Sequence, residues 1–250
     1  MTAERVIINA DDLGISEEVN DAIFDLMAKG RISSATVMAN GPALQHAASK
    51  IKHFPRCSFG AHLNLTQFHP LLPPDAAKLL VGPDGLMSRG IVTRPYGVNL
   101  LSAMYHELLA QVERLGAVGI EISHFDSHHH VHTSPQILPV IKALQRRFRI
   151  RKIRISKNIY TPEQAIRRSL ACKKAAYNFV LRKCYATRTT AGFTELLSYH
   201  AIGNGKPSLS SVELMVHPGA AYAAQETAVL ESAWLETSGV KSRLISYAEL

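Results

Sequence analysis

Four short stretches of this 250-residue chain hold most of the side chains able to bind a cation or move a proton. They are Asp11-Asp12, His62 with Asn64, the run His124-Phe125-Asp126-Ser127-His128-His129-His130-Val131-His132, and His217-Pro218-Gly219. Neutral imidazoles with a carboxylate suit a borderline divalent cation, and one carboxylate with two imidazoles leaves positions open for water and substrate. That is the equipment of a hydrolytic centre. The ion lowers the pKa of water to about 7 and receives the developing oxyanion, a neighbouring carboxylate takes a proton, and a histidine protonates a departing amine. A strand-end Asp pair, or a lone His62 or His217, is as readily a turn or packing feature. Five histidines within nine residues are not, because a buried imidazole costs free energy unless it is paired.

The elements that must position these groups alternate between apolar runs of strand length and segments of helical period, which predicts βα units around a parallel sheet. Strands are expected at 5–10, 34–39, 58–66, 121–130, 150–156, 212–217 and 243–247. Helices are expected from a Ser16 cap to Gly30, then over 43–54, 100–115, 135–148 and 223–236, with Glu17 and Glu18 set against the first helix's dipole. Thr161-Pro162-Glu163-Gln164 has the reciprocal capping pattern and predicts a long basic helix reaching about Tyr185. Pro70 to Pro95, rich in Pro and Gly, reads as a surface loop. The whole, residues 1–250, is expected to be one α/β domain of about seven βα units, a distorted, TIM-like (β/α) barrel with a basic helical segment at 160–187.

Strand C-terminal ends converge on one mouth in such folds, and all four reactive stretches fall at such ends. Period-two arithmetic puts Gly60, His62, Asn64 and Thr66 on one face, and His124, Asp126, His128, His130 and His132 on another. Asp11 and Asp12 point apart in a continuing strand, so serving one site requires the strand to end there, with Leu13-Gly14 as the turn.

Near-zero mean hydropathy and 46% hydrophobic residues describe a soluble globular chain. The sequence shows no signal-peptide pattern and no membrane-spanning run, so a cytoplasmic location is expected. Three cysteines without ligand spacing argue for free thiols and against cysteine-held zinc.

The stretches Asn9-Ala10-Asp11-Asp12-Leu13-Gly14, Gly60-Ala61-His62-Leu63-Asn64-Leu65-Thr66, His124 to His132 and Val216-His217-Pro218-Gly219, taken together and in this order, resemble the YdjC-like carbohydrate deacetylases, which include chitooligosaccharide deacetylases. The resemblance spans nearly the whole chain. It implies a distorted (β/α) barrel that hydrolyses the acetamido group of an amino sugar with one divalent metal. Carried over by position, it implies Asp12, His62 and His128 as metal ligands, Asp11 as general base and His217 as general acid, with His130 and His132 as competitors for the last role. Asn64, Asp126, His130 and His132 are the expected substrate contacts. Family members are described with magnesium, whereas the histidine-rich ligand set equally suits zinc.

The net charge of +8 is concentrated. From Lys142 to Arg188 there are fifteen Lys or Arg and one acid, Glu163. The favoured reading is a barrel helix with a solvated charged face. The sharper one is peripheral contact with anionic membrane or an anionic substrate, such as a sugar on a lipid diphosphate. Nucleic acid is not expected as a partner, and a homodimer is compatible with the sequence. The rival functions are a metal-dependent phosphoesterase, which commonly begins with a histidine pair on its first strand, and a non-enzymatic module binding anionic lipid or ligand.

Overall fold

The computed structural model describes residues 4–164, 166–205, 207–232, 234–237 and 242–250. Ala165 and Ala233, which fall inside two of the expected helices, lie outside the described residues. The chain runs β1 (Glu4–Leu13), α1 (Glu17–Ala28), β2 (Ser34–Val37), α2 (Leu44–Ile51), β3 (Ser58–Leu63), α3 (Pro74–Ala77), α4 (Val98–Ala117) and β4 (Ile122–Ser127). It continues through α5 (Leu138–Phe148), α6 (Arg168–Lys183), β5 (Gly192–Glu195), α7 (Leu196–Ala201), β6 (Ser211–Val216), α8 (Ala224–Glu231), α9 (Trp234–Thr237) and β7 (Ser242–Leu244).

The strands form one parallel seven-stranded sheet in the order β4-β3-β2-β1-β6-β5, with β7 added to β1. Its central strand, β1, buries Val6, Ile7, Ile8 and Ala10, as expected of a parallel strand covered on both faces. β7 pairs with the first residues of β1 and β2 with the last ones, Asn9 to Leu13, so β1 serves both neighbours on one side. The sheet curls into a half-barrel. α1 begins on the Ser16 cap, whose Oγ accepts from the Val19 amide at 3.2 Å, and Glu17 and Glu18 occupy its first turn.

The expected strand over 150–156 is extended but makes only isolated bridges, Ile153 to Phe125 and Lys152 to Arg188. It crosses the open side of the half-barrel. Phe125 N donates to Lys152 O and Arg154 N to Phe125 O, both at 3.0 Å, while Asn158 N reaches Phe193 O on β5 at 3.2 Å. Hydrophobic pattern specified an extended, two-sided buried segment here; a continuous ladder needs a neighbouring edge, which local sequence does not specify. β5, whose four residues Gly-Phe-Thr-Glu are too short to show a period, was not expected. The basic helix starts at Arg168, because Thr161–Gln164 closes a turn, Gln164 N to Thr161 O at 3.0 Å, and caps no helix. The 70–95 loop is likewise more ordered than expected, with α3, a 3-10 turn at Arg89–Thr93, and Leu80, Met87 and Ile91 buried against the core.

The closed end of the barrel is filled by Tyr247. Its ring stacks on His124 with centroids 3.6 Å apart and planes within 10°, and its amide donates to Ser58 Oγ at 2.8 Å. Gly60 lies beneath the same imidazole, where an added Cβ would stand 2.5 Å from His124 Cε1. Gly60→Ala is therefore expected to lower stability by about 1–3 kcal/mol, the usual cost of overpacking. A denaturant midpoint unchanged by the substitution would contradict this close approach.

Candidate metal and active site

β1 runs straight through the aspartate pair to Leu13 rather than ending at it. The two carboxylates reach one site because the β1–β2 register shifts between Ala10 and Leu13, and because Asp12 takes a left-handed backbone, φ +67°. Asp is among the few residues that adopt this conformation readily, and such irregularities re-aim side chains beside active sites. Leu13 then leads into Gly14, whose φ of +100° makes the turn toward α1.

Asp12 Oδ1 stands 3.2 Å from His62 Nε2 and 2.9 Å from His128 Nδ1, and the two nitrogens are 3.3 Å apart. Neither approach to Asp12 has hydrogen-bond direction, which leaves Oδ1 a buried acceptor without a partner. The opposite ring nitrogens explain the geometry. His62 Nδ1 donates to Asp126 Oδ1 at 2.7 Å, and His128 Nε2 donates to Gln67 Oε1 at 2.7 Å. Both tautomers so assigned turn a lone pair toward Asp12. Atoms bonded to one ion at about 2.0–2.2 Å, with angles from right to tetrahedral, stand roughly 2.8–3.6 Å apart, the range found here. The residues present therefore fit a divalent metal.

As protonated donors the same two rings supply the positive charge that an ion would bring: burial pushes the Asp12 carboxyl up, but charged His128 and His62 more than offset it and hold it well below the usual carboxylate range. Burial pulls His62 down, yet Asp126, Asp12 and Asp11 raise it well above its ordinary value. The surroundings of His62 thus favour positive charge at this point. A second acidic cluster, Asp11 with His62 and Asp126, already has its cation, namely Arg154.

Arg154 is fully buried and was not expected from sequence. Its Nη1 and Nη2 donate to Asp11 Oδ2 and Oδ1 at 2.7 and 2.6 Å, Nη1 also meets Asp126 Oδ2 at 2.8 Å, and Nε donates to Glu213 Oε1 at 2.7 Å. One planar guanidinium therefore holds three carboxylates from three strands. Against the upward push of burial, it keeps the Asp11 carboxyl well below the usual range. Burial raises Glu213 to about 7 despite the same guanidinium, and its second oxygen accepts from the Tyr247 hydroxyl. The available signal was an arginine inside the apolar run Ile153-Arg154-Ile155, a placement tolerated only when the charge is paired.

Asp11, Asp12, His128 and His217 share a cleft formed by adjoining cavities of ≈ 480 and ≈ 420 Å³, with Arg89, His129 and Tyr222 completing its wall. This is the size of a small-ligand site. His217 sits just past β6, its amide donating to Glu226 Oε2 at 2.5 Å and its ring 5.9 Å from that of Tyr222. A larger groove of ≈ 720 Å³ along His69–Gly85 holds only His69 and Lys78 among its ionisable residues.

The strand-like alternation expected through His132 breaks after Ser127, where a 3-10 turn places His129 and His130 at φ +52° and +56°. Of the expected substrate contacts, only His130 reaches the cleft; burial lowers it to about 4, and its Nδ1 has no partner. The other three are turned inward, each fully buried. Asn64 Oδ1 accepts from the Thr66 and Gln67 amides, Asp126 is shared by His62, Thr36 and Arg154, and His132 is bonded at Nδ1 to Ser127 Oγ (2.6 Å) and at Nε2 to Arg154 O (3.2 Å). Their polarity satisfies buried backbone and side-chain groups, which period-two arithmetic cannot distinguish from facing a ligand. Gln67, Arg89 and Tyr222 carried no sequence signal, since none falls on an expected strand or helix.

Among curated proteins, the chain is 38% identical over 152 residues to the carbohydrate deacetylase of Vibrio vulnificus strain YJ016, and 39% identical over 148 residues to that of Geobacillus stearothermophilus. Each alignment covers 58% of this chain and 57% of the relative, so little more than half the length of these relatives is matched. Among solved structures, that of a proposed cellobiose-phosphate cleavage protein from Enterococcus faecalis V583 superposes with a TM-score of 0.80 over 99% of both chains at 22% identity, a likeness of fold. The family model for YdjC-like proteins matches residues 5–244, spanning β1 to β7 and every residue of the Asp12, His62, His128 cluster, and the chain accordingly belongs to the YdjC-like family.

Proposed function

We propose that this protein is a metal-dependent hydrolase that removes the acetyl group from an N-acetylated amino sugar and releases acetate. One observation carries the reading: two imidazoles with assigned tautomers and one unpartnered carboxylate oxygen converge within 3.3 Å of one another, at the floor of a cleft that also holds Asp11 and His217. The name carbohydrate deacetylase of the relatives supports the reaction class.

Asp12, His62 and His128 would hold the ion, magnesium or zinc, with the imidazoles favouring the softer of the two. When bound, it supplies a Lewis acid that acidifies water and polarises the acetyl carbonyl. Asp11 takes the proton of the attacking water. Arg154 fixes the direction of that carboxylate and keeps it ionised, at the cost of a lower basicity. His217 protonates the amine nitrogen as the C–N bond breaks. It opens on the cleft, whereas His132 has both nitrogens bonded internally and burial holds it well below its ordinary value. His130, Arg89 and Tyr222 line the space left for the sugar.

Incubation with an N-acetylglucosamine oligomer and, separately, a phosphate ester, with and without chelator, tests the reading. Acetate release abolished by chelator is expected; phosphate release, or neither product after metal is restored, would refute it. Asp11→Asn is expected to retain the ion and lose roughly 10²–10⁴-fold in turnover, the range of a general base. Full turnover of that variant at saturating metal would remove Asp11 from the role.

A further inference from the structure

We propose that the face formed by the C-terminal ends of α5 and α6, together with the adjoining Arg188 edge, docks on an anionic lipid surface. Sequence alone favours a solvated barrel helix; three structural observations weigh the other way.

The first is uncompensated charge. Arg146, Arg149, Lys183 and Arg188 are exposed at one end of this face, and Arg168 and Lys173 at the other end of α6, and none forms an ion pair among the described residues. The only acid between Lys142 and Arg188 is Glu163. The second is apolar exposure beside these cations. Of eight large hydrophobic or aromatic side chains exposed among the described residues, three lie at or just past the C-terminal end of α6: Phe179, Val180 and Tyr185, with Phe179 61% exposed. Lys183 lies over the Phe179 ring and Arg146 over that of Tyr185, at 5.9 and 3.7 Å from the centroids, so cations and aromatic faces form one surface.

The third is a cavity of ≈ 430 Å³ beside this surface, where Arg5, Arg182 and Arg188 meet Thr187, Thr189, Ser210 and Leu250. Arg182 is held rigid by Thr189 Oγ1 (2.8 Å) and the carbonyls of Thr190 and Ala191 (3.0 and 3.3 Å). Such a basket suits a phosphate headgroup. A bilayer interface takes aromatic rings at the headgroup boundary and attracts each nearby Lys or Arg. A nucleic acid would satisfy the cations and leave Phe179 and Val180 without an apolar phase. The cavity opens beside the first residues of β1, β5 and β6, whereas Asp12 and His217 stand at the last, so docking leaves the catalytic cleft clear.

Co-sedimentation with vesicles tests the proposal on the whole protein. Vesicles containing about one-third phosphatidylglycerol should retain it at least tenfold more strongly than pure phosphatidylcholine vesicles, and added salt should release it. Combined Arg146→Glu, Lys183→Glu and Arg188→Glu should lower retention at least tenfold, and Phe179→Ser alone several-fold with no change in charge. Equal retention on neutral and anionic vesicles, wild-type retention by the charge-reversed variant, or complete displacement by double-stranded DNA would each overturn it.

Discussion

Asp12→Ala and His128→Ala are each expected to lose the ion and acetate release together, with turnover falling by roughly three orders of magnitude or more, since a Lewis-acid metal supplies several kcal/mol of transition-state stabilisation and each 1.36 kcal/mol is tenfold. These two are the informative replacements because they stand at the edge of the buried network. His62 is braced by Asp126, so its removal would also strip Asp126 of a partner. Replacing the outer partner, Gln67→Ala, frees the His128 ring to turn and should cost the milder 10–100-fold in metal affinity typical of such supports. Metal content by mass spectrometry after dialysis, measured beside acetate release, checks the series. An Asp12→Ala protein that retains one equivalent of ion would show that the ion sits elsewhere.

Arg154→Met is expected to be strongly destabilising. It removes the guanidinium shared by Asp11, Asp126 and Glu213, all buried. Breaking a buried pair typically costs about 3–5 kcal/mol, which for a chain of this length is roughly 6–20 °C in Tm. Arg154→Lys should recover only part of this, because an ammonium cannot bridge Asp11 through two parallel bonds. The pH dependence distinguishes the charge from mere packing. In the wild type the Asp11 carboxyl lies below its unfolded value, so its contribution is present above that value and is lost as pH falls through the lower, folded one. With the guanidinium gone, burial dominates and raises the folded value. Asp11 then favours folding at low pH and opposes it as pH rises past 4. Melting curves of the two proteins from pH 3.5 to 8 should converge toward the acid end; curves that stay parallel would contradict the role given to Arg154.

Local sequence determined a great deal here. The alternation of apolar runs and helical periods located β1, β2, β3, β4 and β6 and the helices α1, α2, α4 and α5. Unusual density of imidazole at 124–132 marked the site, although only His128, His129 and His130 reach the cleft while His124 and His132 are packed inward. The Ser16 cap and the Gly14 turn were readable because capping and left-handed geometry depend on near neighbours alone.

What tertiary structure decided were the contacts between residues far apart in the chain. Asp126 and His132 carry the same functional groups as cleft residues, and only the positions of Thr36, Arg154 and Ser127 turn them inward to satisfy buried partners. The direction of Asp12 came from a register shift against β2, and the crossing of 152–158 came from two sheet edges left open. Arg154 meets Asp11 143 residues away. Hydrophobic period says which face of an element is buried; it does not say which distant polar group waits there, and that pairing settles whether a buried charge is held or free to react.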